Sequence, residues 1–149
     1  MITRRDLLVA AISVFAAASV LAVAQSAGKS KTMLHSSVFN WAELKVTPTK
    51  AGERRMVFDA ATPLLEQFEC HITTLNPGES PHPPHRHPEE ELMIIREGSL
   101  EALQNDRTNR VEVGGIIFEA SKELHGLRNI GTNRATYYVF KWLPPTPVK

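Results

Sequence analysis

Residues 81–98 read PHPPHRHPEEELMIIREG. Three of the chain's six histidines fall between positions 82 and 87, and three glutamates follow at 89–91. Pro81, Pro83, Pro84 and Pro88 keep the first part from being helical, because each removes a backbone donor and fixes φ. In the extended chain that results, alternate residues share a face. His85 and His87 therefore point one way and Arg86 the other, and Glu91 has the same parity as the histidines beyond the bend at Pro88. Two imidazoles and a carboxylate on one face form a strong donor set for a divalent transition metal. Without a cation, a buried carboxylate in that place would lack a partner.

Outward from this stretch the chain reads as strands. Short apolar segments alternate with turn sequences at Arg55–Asp59, Leu65–Leu75, Leu92–Arg96, Leu100–Gln104, Arg110–Val113, Ile116–Glu119, His125–Asn129 and Thr136–Trp142. Asn76-Pro77-Gly78, Glu97-Gly98, Asn105-Asp106, Gly114-Gly115 and the run from Asn129 to Asn133 supply the bends. Seven or eight short strands at this spacing predict an all-β sandwich or small barrel. Pro63–Gln67 is expected to make one helical turn. A further donor must come from elsewhere in the chain, and His125 sits about three strands later, where a closed barrel can return it beside His85.

The two segments together resemble the two motifs of the cupin family. His85, His87, Glu91 and Gly98 match the spacing of the first motif, with Gly78 one residue further upstream than usual. Gly114, His125 and Asn129 match the second, in which Ala120 and Lys122 replace the usual proline and glycine. The resemblance covers most of Leu65 to Trp142. It implies a cupin-type jelly-roll β-barrel that binds one divalent transition metal (Mn, Fe, Zn, Ni or Cu) through His85, His87, Glu91 and His125. It also implies a small-molecule ligand or substrate, with dioxygenase, decarboxylase, isomerase and aminohydrolase chemistry all open. The alternative is a non-catalytic metal- or small-ligand-binding protein. Family members of this size commonly pair through their sheets, so the resemblance carries the expectation of a homodimer.

Parity extends the reading to the surroundings. Met93, Ile95 and Leu127 are expected to face inward as apolar walls, and Arg86, Arg96 and Arg128 to face out. With no second cation expected inside, the site suits a small anionic or enolisable ligand rather than a large polyanion. His82 is read as a rim residue, His35 as solvated, and Glu89 and Glu90 as solvated. Asn129 is read as a turn former. On the strand EQFECHITTL, Phe68, Cys70 and Ile72 make the apolar face, and His71 is assigned to a solvated surface. Cys70 is the only cysteine, which excludes an intrachain disulfide and a multi-thiolate zinc site. It reads as a small buried hydrophobe.

The first 28 residues, MITRRDLLVAAISVFAAASVLAVAQSAG, differ from the rest. Arg4 and Arg5 precede an uncharged stretch from Leu7 to Ala24 that ends in Ala22-Val23-Ala24, a small-x-small cleavage pattern. The segment resembles a twin-arginine export signal, which implies a periplasmic or extracellular protein whose only membrane contact is through the signal. An uncleaved membrane anchor is the competing reading. The expected organisation is signal peptide 1–24, linker and N-terminal arm 25–40, and cupin domain 41–149. Removal of Arg4, Arg5 and Asp6 leaves 15 basic and 15 acidic residues. That balance excludes a nucleic-acid binder relying on phosphate contacts. The apolar segment Val38 to Trp41 either pairs across a subunit edge or packs on its own barrel.

Overall fold

The structure, a computed structural model, describes residues 32–146. The expected export signal and the linker as far as residue 31 lie outside the described residues. Nine strands follow in chain order: β1 (Val46–Thr49), β2 (Gly52–Ala60), β3 (Gln67–Leu75), β4 (Glu90–Glu97), β5 (Leu100–Gln104), β6 (Arg107–Val111), β7 (Ile116–Glu119), β8 (His125–Asn129) and β9 (Ala135–Leu143). They form a six-stranded sheet, β1-β2-β3-β9-β4-β7, and a three-stranded sheet, β6-β5-β8. Every pairing between them is antiparallel. The fold is all-β, a jelly-roll β-barrel.

Alternation sorts each strand between inside and outside. On β4, Met93 and Ile95 are buried. On β9 the inward residues are Ala135, Tyr137 and Val139. These pack with Leu75, Leu100, Ala102, Ile117 and Leu127 into one core between the sheets. Leu75 and Leu100 are 0% exposed, and burying each such side chain contributes about 1.5–3 kcal/mol. Glu91 shares the parity of Met93 and Ile95, so the same pleat that builds the core aims its carboxylate inward.

The turns behave as their residues require. Gly98 closes the β4–β5 hairpin at φ +83°, and an added Cβ would stand 2.6 Å from Cβ of Ala135. Asn105 adopts φ +55° between β5 and β6, a conformation that asparagine tolerates better than most residues. Asn129 is fully buried, accepts from Gly131 N–H at 2.9 Å and donates to the carbonyls of Leu75 and Asn133. It is the turn former that its position predicted. Pro63–Gln67 is not helical; the Thr62 hydroxyl instead accepts from the amides of Leu64 and Leu65. β1, with Pro48 in its middle, is an edge strand absent from the sequence reading.

Parts of the described arm touch their own barrel, while Val38 is 86% exposed. Leu34 donates to Ala61 O, and Ala61 donates to Thr32 O. Phe39 meets Phe58 at 5.6 Å between ring centroids. The Trp41 ring, in a single 3₁₀ turn (Trp41–Glu43), lies against the guanidinium groups of Arg55 and Arg96.

Candidate metal centre

The segment before β4 is tied to β8 by a reciprocal pair of backbone bonds. His85 N–H donates to His125 O, and His125 N–H to His85 O, both at 3.0 Å. This bridge places residues 40 positions apart side by side. Gly126 allows the approach, since a Cβ there would sit 3.1 Å from Cγ of Pro84. Further along, Lys122 N–H donates to His87 O at 2.8 Å, and Arg86 Nη1 donates to Lys122 O at 2.8 Å. Ser121 Oγ donates to Pro88 O at 2.7 Å, so the histidine segment is laced to the β7–β8 connection and β8 at His85, Arg86, His87 and Pro88.

His85, His87 and His125 each offer one ring nitrogen, and these three atoms lie within 4.8 Å of one another. Their rings are 4.7 to 5.2 Å apart between centroids. The ring orientations are fixed from behind. His87 Nδ1 is 3.0 Å from Glu89 O, and His125 Nδ1 is 2.9 Å from Glu123 O. A carbonyl can only accept, so both Nδ1 atoms carry the proton and both Nε2 atoms present a lone pair. Both Nε2 atoms are buried without a hydrogen-bond partner, as is Nδ1 of His85. Burying an unpartnered polar atom costs about 1–3 kcal/mol, and three imidazoles that each leave one such atom and bring a ring nitrogen within 4.8 Å of the others fit a bound cation. Burial and the neighbouring imidazoles pull His85 down to about 4, and burial also lowers His87. Neutral rings are the form that can donate to a metal.

Glu91 stands beside this group. Its Oε2 is 3.5 Å from Nε2 of His87, and burial pushes its carboxyl up to about 7, against the opposing pull of Lys141. His82 packs edge-on against His85 at 4.1 Å and is exposed, a rim position as its parity predicted. Arg86, Arg96 and Arg128 are exposed as expected.

These groups open into a cavity of about 330 Å³ between the sheets. Leu75, Met93, Leu127 and Val139 give it apolar walls. Two expectations are corrected here. His71 is not on a solvated surface; its side chain is 13% exposed and lines the cavity. The cavity also holds cations that the sequence reading placed nowhere inside, Arg54 and Lys141. Both gather with His71 around Glu69, which is 6% exposed. Arg54 Nη2 is 2.5 Å and His71 Nδ1 2.8 Å from Glu69 Oε1, and Lys141 Nζ is 3.8 Å from Oε2. Since a carboxylate only accepts, His71 Nδ1 carries the proton, and the 3.0 Å approach of Arg54 Nη2 to that nitrogen is a contact between donors. The bond from His71, with Lys141 and Arg54 nearby, holds Glu69 down at about 2. Glu119, directly across from Glu91 on β7, is 2% exposed, has one unpartnered carboxylate oxygen and is raised by burial to about 7. Cys70 faces away from the cavity in the apolar layer, and burial raises its thiol to about 11, which leaves it unreactive.

Residues 71–141 match the Cupin_2 family, described as a cupin domain. No curated protein matches the chain in sequence. Among solved structures, KdgF from Halomonas sp. aligns over 75% of this chain and 96% of its own, with TM-score 0.61 and 18% identity. The polyketide cyclase RemF from Streptomyces resistomycificus aligns over 77% and 84%, with TM-score 0.60 and 22% identity. A predicted oxalate decarboxylase from Thermotoga maritima aligns over 72% and 99%, with TM-score 0.58 and 21% identity. The family match and these folds support the cupin superfamily, and with the three-histidine cluster they suggest metal binding.

Proposed function

We propose that this chain is an exported cupin that binds one divalent transition metal through His85, His87, His125 and Glu91, and that it acts on a small oxygenated substrate in the adjoining cavity. The observation that carries this reading is the convergence of three imidazoles, each with a ring nitrogen within 4.8 Å of the others and two of them with their Nε2 lone pairs fixed from behind. Glu91 joins the set on a geometric argument. Nε2 of His87 has no proton, so it and Oε2 of Glu91 face each other as acceptors at 3.5 Å. Two acceptors at that separation need a cation or a proton between them. Ligands of one ion at about 2.0–2.2 Å stand roughly 3–3.5 Å apart.

A metal held by these residues would supply a Lewis acid to the cavity. The chain's own part is to hold the ligand rings rigid through the Glu89 and Glu123 carbonyls. It also gives the substrate an apolar slot from Leu75, Met93, Leu127 and Val139. The neighbouring folds include a cyclase and a predicted oxalate decarboxylase, and the reaction class stays open among those the resemblance implies.

Metal analysis of the mature protein tests the centre. His85→Ala, His87→Ala and His125→Ala are each expected to lose bound metal, and His35→Ala to keep it. Full metal content in His125→Ala would sink the assignment. An oxygen-uptake and substrate screen on the metal-replete protein separates an enzyme from a non-catalytic binder. The mature chain is further proposed to be a homodimer and to leave the cytoplasm by the twin-arginine route. Replacing Arg4 and Arg5 by lysine should strand the precursor inside the cell; unaffected export would refute that route.

A further inference from the structure

The wall of the cavity formed by β2, β3 and β9 is a second polar cluster, separate from the histidines. Register builds it. Arg54 lies opposite Thr73 on β3, and Lys141 lies between Glu69 on β3 and Glu91 on β4. All three strands turn these side chains to the same interior. The cluster sets two basic side chains, Arg54 and Lys141, around one carboxylate held ionised, Glu69. His71 adds no charge near neutral pH, because burial lowers its pKa. Arg54 and Lys141 thus outnumber Glu69 on this wall, their side chains 40% and 21% exposed.

The donors are not used up either. Arg54 Nε is buried without a hydrogen-bond partner. Among the described residues Lys141 Nζ makes no hydrogen bond, and its contact with Glu69 is a 3.8 Å ion pair. The Lys141 ammonium is thus left at the cavity without a hydrogen bond of its own, which a purely structural pair does not require. Resting on the cavity's reading as the substrate site, we infer that Arg54 and Lys141 bind the anionic group of the substrate, and that this substrate is a short-chain monocarboxylate. The planar guanidinium suits a carboxylate. The cavity of about 330 Å³, at the small end for ligand sites, with Leu75, Met93 and Val139 beside the cluster, limits the remainder to a few carbons.

The test titrates the mature protein with pyruvate, its uncharged methyl ester and inorganic phosphate, by calorimetry, as isolated and again after chelation. Arg54→Gln and Lys141→Gln are each expected to weaken pyruvate binding at least tenfold, with methyl pyruvate binding and metal content unchanged. The ¹⁵N–¹H signal of Arg54 Nε should shift on adding pyruvate to the wild type, a change that a structural ion pair would not show. Lys141→Gln removes a side chain with no hydrogen bond among the described residues, so it reports even if Arg54→Gln folds poorly. Unchanged pyruvate affinity in Lys141→Gln, equal binding of the methyl ester, tighter binding of phosphate, or no pyruvate binding by the wild type would each overturn the inference. Binding that depends on Arg54 and Lys141 in a protein carrying no metal would uphold the anion site while removing the metal centre.

Discussion

At the scale of single residues, what the chain discloses depends on how far apart the partners lie. His85, His87 and Glu91 are read directly, because six to seven residues of extended chain fix their relative facing by parity alone. His125 needs one further step, the return of a strand, and the backbone bridge from His85 to His125 is how the fold makes it. Arg54, Glu69 and Lys141 were out of reach. Each reads as an ordinary strand charge, and only the β2-β3-β9 register shows that they meet. The same limit misplaced His71: parity put it opposite Phe68 and Cys70, correctly, but could not say which of the two faces looked into the barrel. Glu69 gives this cluster a measurable signature. Its carboxyl sits at about 2 in the fold, below the ordinary 4.5, chiefly through the bond from His71. A lowered folded value means that the stabilisation is complete above pH 4.5 and disappears as pH falls toward 2. Glu69→Gln is expected to lose on the order of 2–3 kcal/mol at pH 7. The gap from wild type should close through that acid window when unfolding is followed by denaturant at several pH values. A gap that stays constant from pH 7 to pH 2 would mean that the ionised carboxylate contributes nothing.

At the scale of elements, strand existence was legible for all but β1, and strand ends for only some. β5, β7 and β8 fall where the apolar runs begin and end. β2 and β9 extend further, because pairing on both sides carries regular backbone beyond the apolar residues. β1 was hidden by Pro48, which an edge strand tolerates since one side of it makes no ladder bonds. The β7–β8 connection carries the most informative departure from pattern. Lys122 occupies the position where the second motif usually has glycine, and it adopts φ +64°. The backbone keeps the conformation that glycine would provide, held by the bonds joining Lys122 to Arg86 and His87. A left-handed conformation costs a residue with a Cβ about 1–2 kcal/mol, while glycine loses about 0.5–1 kcal/mol more chain entropy on folding. Lys122→Gly should therefore stabilise the protein by roughly 0.5–1 kcal/mol, read as a higher denaturation midpoint with unchanged metal content. A lower midpoint would show that the Lys122 side chain itself contributes to holding the histidine segment.

At the scale of the whole molecule, the two faces of the six-stranded sheet have different tasks. The inner face carries the cavity and the core. The outer face is unusually apolar for a surface: Phe68 packs with Phe58 and Phe140, and Trp142 stacks on Phe118 at 6.3 Å. The arm covers the β2 side of it through Phe39. Phe39 and Trp41 touch their own barrel, while Val38 is 86% exposed and Phe39 and Trp41 remain 42% and 38% exposed. The β7 side has no such cover among the described residues, and Ile116 and Phe118 are 65% and 49% exposed. β7 is also the edge of its sheet, and it lacks the proline that blunts β1 at the opposite edge. If the mature chain is a homodimer, this face is where a second copy fits, because a two-fold contact needs one patch that is its own complement. Light scattering after size exclusion is expected to give twice the chain mass for the mature protein. Deletion of residues 25–42 should leave that doubled mass in place, whereas Phe118→Asp, which puts a charge at the centre of the patch, should halve it. A shortened chain that runs as a monomer would return the contact to the arm, and a Phe118→Asp variant that stays dimeric would exclude the β7 face.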